Sequence, residues 1–244
     1  MISRLYILDY GLFQVHSNGR IIGIMGYLLQ TALGENILID TGFPAKYAEN
    51  IERATIEDRL DEFGRVVSLT ADNLPAGQLA KIGLSTNDID LLIMSHTHID
   101  HVGGLNDFPH APMVISAAER ALPSPLYWGD VRPYDWPSGI EYRLINADTT
   151  LMPGLDILLT PGHAPGQLSF LITLPETGPV LLTSDAISRP AEIEERFDTA
   201  RDPQAAVASA EKLMSIAREE EALIIYGHDP AQWNTLKKAP KWYA

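Results

Sequence analysis

The segment Ser95–His101, which reads Ser-His-Thr-His-Ile-Asp-His, constrains this chain more than any other feature. It places three imidazoles and one carboxylate within six positions, a composition that suits divalent metals far better than a core or an ordinary surface. The preceding residues, Ile89–Met94, form an apolar run that predicts a short buried strand. The cluster therefore lies where a strand runs out into a loop, a common place for active sites in layered α/β proteins.

The spacing inside the cluster divides its side chains into two pairs. His96 and His98 are two positions apart, so in extended chain they point the same way and can bind one ion. Asp100 and His101 follow after the chain turns, so they can face a second ion. The chain has no cysteine, which excludes disulfides and thiolate sites and leaves histidine and carboxylate as the ligands.

Three further residues of ligand type follow apolar runs that predict strands. A lone histidine after a strand is more often a structural hydrogen-bonder than a ligand, so each is a weak signal alone. With the first cluster they make seven residues at strand ends, and five of the chain's seven histidines belong to the set. The two others, His16 and His110, have no such context and are interpreted as structural or surface residues. The three added residues are His163 after Leu155–Leu159, Asp185 after Val180–Thr183, and His228 after Ala222–Tyr226.

The rest of the chain alternates short strands with a few helices. Strands dominate both halves, helices occur in each, and no break in composition separates them, so we expect one domain over residues 1–244. This pattern predicts an α/β fold of two mixed sheets packed face to face with helices outside. The region 44–69 is predicted as loop and helix. Further strands are predicted at Arg4–Leu8, Ile24–Gln30, Asn36–Ile39, Pro112–Ile115, Glu141–Ile145 and Leu168–Thr173, and helices at Ala71–Ile82, at Ser116–Ala121 and from Asp202-Pro203 onward.

A proline-rich segment, Pro123–Gly139, carries four large aromatic side chains, Tyr127, Trp128, Tyr134 and Trp136. Its composition predicts a rigid loop. Two interpretations have equal weight: the aromatics fasten the loop to the body of the protein, or they line a substrate pocket.

The charge balance restricts the class of partner. Asp and Glu number 32 against 18 Lys and Arg, giving a formal net charge of −14. Such a chain is poorly suited to a nucleic acid backbone, which needs a basic surface, and small neutral or cationic substrates remain open. The beginning of the chain shows neither a signal peptide nor a long apolar span. We therefore expect a cytoplasmic enzyme with no membrane partner.

The whole ligand pattern resembles the metallo-β-lactamase superfamily. The resemblance rests on His96-x-His98-x-Asp100-His101 followed by His163, Asp185 and His228, and on Asp40-Thr41-Gly42, which matches that family's early turn. It implies an αββα sandwich with the metals at one edge, where the aspartate of the turn supports the site from behind the ligands. Within the superfamily the likeness is closest to the N-acyl homoserine lactonases, in the segments Thr160–Gly166, Leu181–Ala186 and Gly227–Asp229.

This resemblance implies two divalent ions, with zinc expected and iron, cobalt or manganese acceptable to the same donors. It implies one ion on His96, His98 and His163, and another on Asp100, His101 and His228. Asp185 would bridge both. The implied reaction is lactone ring opening by a metal-bound hydroxide, with Asp100 as the catalytic proton carrier. The implied partner is a small-molecule lactone or ester, and homodimers are common in the group.

Two positions depart from the lactonase pattern. Ser188 stands three residues after Asp185, where those enzymes usually carry a tyrosine whose hydroxyl helps to hold the lactone carbonyl. Ile99 stands where they often have an aromatic residue beside the acyl pocket. Both are candidate substrate-binding residues, and both affect the choice of substrate more than the hydrolytic chemistry.

Other functions remain open at this stage. The nearest is another ester or thioester hydrolase of the same fold, such as one resembling glyoxalase II, although only sixteen residues follow His228 where that group adds a helical region. An acidic chain fits a phosphodiesterase or RNA-processing enzyme poorly, and β-lactamases that need a cysteine ligand are excluded. An iron-dependent oxidoreductase and a non-catalytic metal-binding module are the alternatives from other classes.

Overall fold

Twelve strands form two mixed sheets in a computed structural model that describes every residue from Met1 to Ala244. One sheet has seven strands in the order β4-β1-β2-β3-β5-β6-β7, and the other has five in the order β12-β11-β10-β9-β8. The strands are β1 (Ile2–Val15), β2 (Ile21–Thr31), β3 (Asn36–Ile39), β4 (Gly64–Ser68), β5 (Leu91–Ile93), β6 (Met113–Ser116), β7 (Tyr142–Ile145), β8 (Thr149–Met152), β9 (Leu155–Leu159), β10 (Leu168–Leu174), β11 (Gly178–Ser184) and β12 (Leu223–Tyr226).

Seven of the eight α-helices lie in the connections between strands, and α8 follows the last strand. Most are a single turn or two, and α7 is the longest at 17 residues. No helix has both the length and the apolar character needed to cross a bilayer. The helices are α1 (Lys46–Glu49), α2 (Ile51–Glu57), α3 (Pro75–Ala80), α4 (Ile99–Val102), α5 (Ala117–Arg120), α6 (Ala191–Glu195), α7 (Pro203–Glu219) and α8 (Pro230–Trp233), with 3₁₀ turns at Leu60–Glu62, Ala71–Asn73, Thr86–Asp88 and Asp185–Ile187.

Strand direction brings several strand ends to one edge of the molecule. In the larger sheet β3, β5 and β6 are parallel neighbours, so their carboxyl ends point the same way. In the smaller sheet β10 runs antiparallel to both β9 and β11, while β12 is parallel to β11. The carboxyl ends of β9, β11 and β12 therefore also share one edge. Any residue that follows one of these strands is delivered to that edge.

The core has three apolar layers, which is the arrangement of an αββα sandwich. The middle layer lies between the sheets, where Ile37 and Ile93 of the larger sheet share a cluster with Phe170 and Val180 of the smaller. All four are essentially inaccessible to solvent, and each such side chain contributes about 1.5 to 3 kcal/mol through burial. The outer layers pack the short helices on the larger sheet and α7 on the smaller. The predicted fold class is confirmed.

The helix expected over Ala71–Ile82 is wrong as one element. The chain forms a 3₁₀ turn at Ala71–Asn73, extends at Leu74, and starts α3 at Pro75. Proline has no N–H for a helical hydrogen bond and pushes the residue before it into extended conformation, so a helix can start at Pro75 but cannot run through it. The prediction of loop and helix for 44–69 also missed β4, and β8 was not predicted.

Candidate metal centre

All seven residues of ligand type meet at the shared edge of the two sheets. Each follows a strand of the set described above: β5 leads to four of them, and β9, β11 and β12 lead to one each. Four of the side chains are buried, and the other three are half-buried. Residues separated by more than a hundred positions therefore form one cluster. Its members are His96, His98, Asp100, His101, His163, Asp185 and His228.

Three imidazoles, those of His96, His98 and His163, make up one side of the cluster, which we call the first group. Nδ1 of His98 lies 3.1 Å from Nε2 of His96 and 2.9 Å from Nε2 of His163. Burial and the neighbouring imidazoles lower the pKa of His96 and His98 well below the usual range, and burial lowers that of His163. Each neutral ring can offer one nitrogen lone pair, so three nitrogen ligands converge at a position that a cation could occupy.

The carboxylate of Asp100 and the imidazoles of His101 and His228 make up the other side, which we call the second group. Oδ2 of Asp100 lies 3.6 Å from Nε2 of His101 and 3.5 Å from Nε2 of His228. Burial opposes protonation of both rings, but Asp100 and Asp185 outweigh it, raising the pKa of His101 well above its usual range and that of His228 to about 9. The site thus favours positive charge at the position between these side chains.

Asp185 stands between the two sides, and each of its oxygens faces one of them. Oδ1 lies 3.4 Å from Nε2 of His101 and 3.2 Å from Nε2 of His228. Oδ2 lies 3.3 Å from Nε2 of His163 and 3.9 Å from Nε2 of His96. Although burial opposes ionisation, His228 and His101 hold the pKa of Asp185 well below its usual range.

The donor set fits a pair of bound cations. Asp185 Oδ1 and His101 Nε2 are buried and have no hydrogen-bond partner, and buried polar atoms are rarely left in that state. Histidine nitrogens and carboxylate oxygens are the ligands that zinc and similar divalent ions accept. The two unpartnered atoms lie 3.4 Å apart, and His228 Nε2 lies 3.2 Å from the same oxygen of Asp185.

Asp40 orients the second group from behind. Its carboxylate accepts hydrogen bonds from the Ser95 backbone N–H (2.8 Å), the Ser95 hydroxyl (2.6 Å) and His101 Nδ1 (2.9 Å). His228 Nδ1 donates in the same manner to the carbonyl of Gly23 at 3.0 Å. Each bond fixes a ring and leaves its Nε2 free to face Asp185. Asp40 lies directly after β3 with a positive φ of 62°, a strained conformation of the kind that clusters at functional sites.

Glu119 joins two ligand-bearing loops and was not found from the sequence. Its carboxylate is fully buried and accepts from the Thr97 hydroxyl at 2.6 Å and from the Gly166 backbone N–H at 3.2 Å. Thr97 lies between His96 and His98, and Gly166 ends the loop that carries His163. Glu119 therefore sets the distance between loops that supply the first group. A single glutamate in a short helix carries no pattern that would have revealed this.

Beside the cluster lies a cavity of about 450 Å³ with two unlike walls. One wall is apolar and includes Ile99, which is almost fully buried. The polar and charged side chains of the lining make up the other, and they include Ser188, whose main-chain N–H donates to Glu192 at 2.7 Å. The apolar side chains of the lining, here called the apolar wall, are Phe13, Val15, Ile22, Phe43, Leu60, Phe63, Ile99, Trp128, Phe197, Ala200 and Ala206.

The aromatic loop is fastened to the body of the protein by three of its side chains, and the fourth lines the cavity. Trp128 lines the cavity. The hydroxyl of Tyr127 donates to buried Asp58 at 2.7 Å, that of Tyr134 donates to the carbonyl of Gly103 at 3.1 Å, and Trp136 Nε1 donates to the carbonyl of Leu122 at 2.8 Å. These three bonds fasten the loop to the body. Both histidines set aside from the cluster, His16 and His110, lie at the surface.

Comparison with known proteins points to one family. The N-acyl homoserine lactonase AiiA of Bacillus thuringiensis subsp. kurstaki is 30% identical over 227 residues, covering 88% of this chain and 85% of that protein. The N-acyl homoserine lactonase AttM of Agrobacterium fabrum is 32% identical over 187 residues, covering 68% of each chain. A solved N-acyl homoserine lactone hydrolase, with the product N-hexanoyl-L-homoserine at its catalytic metal centre, has 27% identity and a TM-score of 0.87, covering 100% of both chains.

The sequence profile of one family spans most of the chain and contains every residue of the cluster. It matches residues 24–228, which include the span from His96 to His228 as well as Asp40. With the two-sheet fold and this match together, the chain belongs to the metallo-beta-lactamase superfamily.

Proposed function

We propose that this protein is a metal-dependent hydrolase that opens the ring of an N-acyl homoserine lactone or a related lactone, within one domain spanning residues 1–244. The observation that carries the proposal is Asp185, whose two oxygens face separate groups of ligand-type side chains beside an open cavity. The lactonases named above support the substrate class, since they match over most of this chain.

In this proposal the cluster holds two divalent ions. His96, His98 and His163 would hold one, and Asp100, His101 and His228 would hold the other. Asp185 would contact both. Zinc is the expected metal, and iron, cobalt or manganese suit the same nitrogen and oxygen donors. Such a pair supplies a nucleophilic hydroxide at neutral pH and polarises the substrate carbonyl.

Asp100 is the proposed proton carrier. It lines the cavity, and its Oδ2 lies within 3.6 Å of Nε2 of both His101 and His228. Ring opening leaves an alkoxide that must gain a proton, and the carboxylate of Asp100 would take a proton from the attacking water and pass it to that alkoxide. The other carboxylate of the cluster, Asp185, is buried among histidines that keep it ionised, so it is less suited to that task.

The cavity walls suggest how a lactone would be held. We place the alkyl part of the acyl group along the apolar wall, where Ile99 lies nearest the ligand cluster. Ser188 lies on the opposite side, and its short hydroxyl would contact the substrate only weakly. Its main chain has a separate task, because the carbonyl of Ser188 accepts from the N–H of His228 at 2.8 Å and so holds that residue in place.

The test combines elemental analysis with a substrate panel. The purified protein is analysed for metals and then assayed by acid release against lactones of varied ring size and acyl length, with linear esters and thioesters alongside. We expect two divalent ions per chain and the highest kcat/KM on acylated lactones. A protein that carries two ions and hydrolyses only thioesters would support the glyoxalase-like alternative and overturn the proposal. Visible absorption of the same sample would expose a flavin or a redox-active iron.

A further inference from the structure

The polar lining of the cavity includes two arginines that come from separate segments of the chain. Arg20 ends the turn between β1 and β2, and Arg189 follows the 3₁₀ turn Asp185–Ile187. Both line the cavity together with Glu192 and Glu195 of α6. None of these four residues belongs to the ligand cluster, and no step proposed above uses them.

The two guanidinium groups differ in their partners. Arg189 forms an ion pair with Glu195. The side chain of Arg20 forms no ion pair and no hydrogen bond, although it is half-buried and its Nε is inaccessible to solvent. One carboxylate oxygen of Glu192, the other nearby acid, accepts the N–H of Ser188 at 2.7 Å. The Nε of Arg189 also lacks a partner, but only Arg20 has neither an ion pair nor a hydrogen bond to any part of its guanidinium group.

A guanidinium in this position needs an oxygen acceptor. It has lost part of its hydration, which together with the nearby charge of Arg189 lowers the pKa of Arg20 despite the opposing effect of Glu192 and Glu195. It remains a strong fork-shaped donor, and such donors pair best with carbonyl or carboxylate oxygens. An alkyl chain in the cavity would cover the guanidinium without giving it a hydrogen bond, which is unfavourable for a buried donor.

We propose that Arg20 is a specificity-determining residue that binds an oxygen on the acyl portion of the substrate. The preferred lactones would then carry an oxo or carboxyl group on the acyl chain, with the remaining alkyl part against the apolar wall. This inference rests on the proposed lactonase function and narrows its substrate class. A site with a committed donor discriminates strongly against an analogue that lacks the matching acceptor.

The test compares three acyl homoserine lactones of equal chain length: unsubstituted, 3-oxo, and terminally carboxylated. The variant is Arg20→Met, which keeps the length of the side chain and removes its donors. Arg218→Met is the matched control, because Arg218 is exposed at the end of α7 and its loss changes net charge equally. We expect the ratio of kcat/KM for substituted over unsubstituted lactone to fall about tenfold or more in Arg20→Met. The unsubstituted lactone and the control variant should stay within about twofold of wild type.

The substrate ratio separates recognition from a structural effect. An unchanged ratio would overturn the assignment of Arg20, whether kcat/KM stays the same or falls equally on all three lactones. A drop for both substituted lactones supports a general oxygen acceptor, and a drop for the carboxylated one alone supports an anionic acceptor. Arg20→Lys should recover part of the preference for the carboxylated lactone, because it restores the charge without the fork.

A binding measurement keeps the inference testable even if turnover fails. Calorimetry of the metal-loaded wild type with the three ring-opened acyl homoserines should show higher affinity for the two substituted compounds than for the unsubstituted one. This preference should be lost in Arg20→Met. If the wild type opens no lactone, the proposed function fails, and equal affinities for the three ring-opened compounds would reject Arg20 as well. If it opens all lactones with no role for Arg20, only this inference fails.

Discussion

The ligand cluster and the cavity beside it are built from different parts of the fold. Every ligand-type residue follows a strand whose neighbours fix its direction, and buried partners such as Asp40 and Glu119 hold the loops. Most cavity residues come from surface connections such as the turn before β2, the aromatic loop and α6, while Phe13 and Val15 of β1 and Ile22 of β2 also line it. We therefore expect the reaction chemistry to depend on residues that the sheets place, and substrate choice to depend mainly on connections that can change without disturbing the sheets.

The largest expected effect is at the centre of the cluster. Asp185→Asn removes the charge that faces both groups of histidines while preserving side-chain shape. We expect loss of bound metal and a fall in lactone hydrolysis of about a thousandfold or more, because both depend on the same carboxylate. Elemental analysis and kcat/KM on one preparation measure the two quantities together. Asp61→Asn, an exposed residue outside the site, is the charge-matched control. Full activity with two ions retained would reject the bridging role.

A smaller effect is expected at Asp40, which lies outside the cluster and accepts a hydrogen bond from His101. Asp40→Asn weakens the acceptor for His101 Nδ1 and for Ser95, so the ring loses its fixed orientation. Supporting residues of this kind typically change metal affinity or activity by about 10- to 100-fold. Titration of the metal-free variant with zinc, followed by calorimetry, gives the affinities. If both ions bound as in wild type, the support assigned to Asp40 would be wrong.

A substitution at Glu119 tests whether this residue holds together the loops that carry Thr97 and Gly166. Glu119→Gln keeps one acceptor oxygen and replaces the other with an amide N–H donor. The variant side chain therefore cannot accept from both the Thr97 hydroxyl and the Gly166 N–H. We expect a loss of about 1 to 3 kcal/mol in unfolding free energy, measured by urea denaturation. The ion on His96, His98 and His163 should also leave to a chelator first. Glu211→Gln, exposed on α7, provides the control. Equal release of both ions would show that Glu119 does not act on the first group alone.

The smallest effect is expected on the cavity side. Ser188→Ala keeps the main-chain bonds to Glu192 and His228 and removes a hydroxyl that makes no hydrogen bond to the protein. We expect kcat/KM on the best lactone to change by less than about threefold. Steady-state kinetics on the wild type and the variant decide the matter. A fall of several orders of magnitude would make Ser188 a main contact to the reacting carbonyl and would remove the contrast between cluster and cavity.

Much of the cluster could be predicted from the sequence because its signal is local. An apolar run followed at once by a histidine or an aspartate marks a strand end, and the two-sheet class followed from many such strands. The same reasoning located β3, β9 and α7, whose cap at Asp202 accepts the N–H of Ala205 at 3.0 Å. These features depend on few neighbours in space, so the pattern along the chain is sufficient.

The rest depends on contacts that no local pattern records. β4 and β8 are largely exposed edge strands without an apolar alternation. The expected helix at Ala71–Ile82 ignored the break that Pro75 imposes. Glu119 and Arg20 acquire their importance from groups far away in sequence, one by joining two loops and the other by lacking a partner in a cavity. Only the folded chain brings those groups together.

Diffraction from metal-loaded crystals, recorded on both sides of the zinc absorption edge, tests whether the cluster binds two ions that share Asp185. Two anomalous peaks are expected. One should lie among His96, His98 and His163 and the other among Asp100, His101 and His228, with one oxygen of Asp185 on each. A single peak, or two peaks that do not share Asp185, would contradict this expectation.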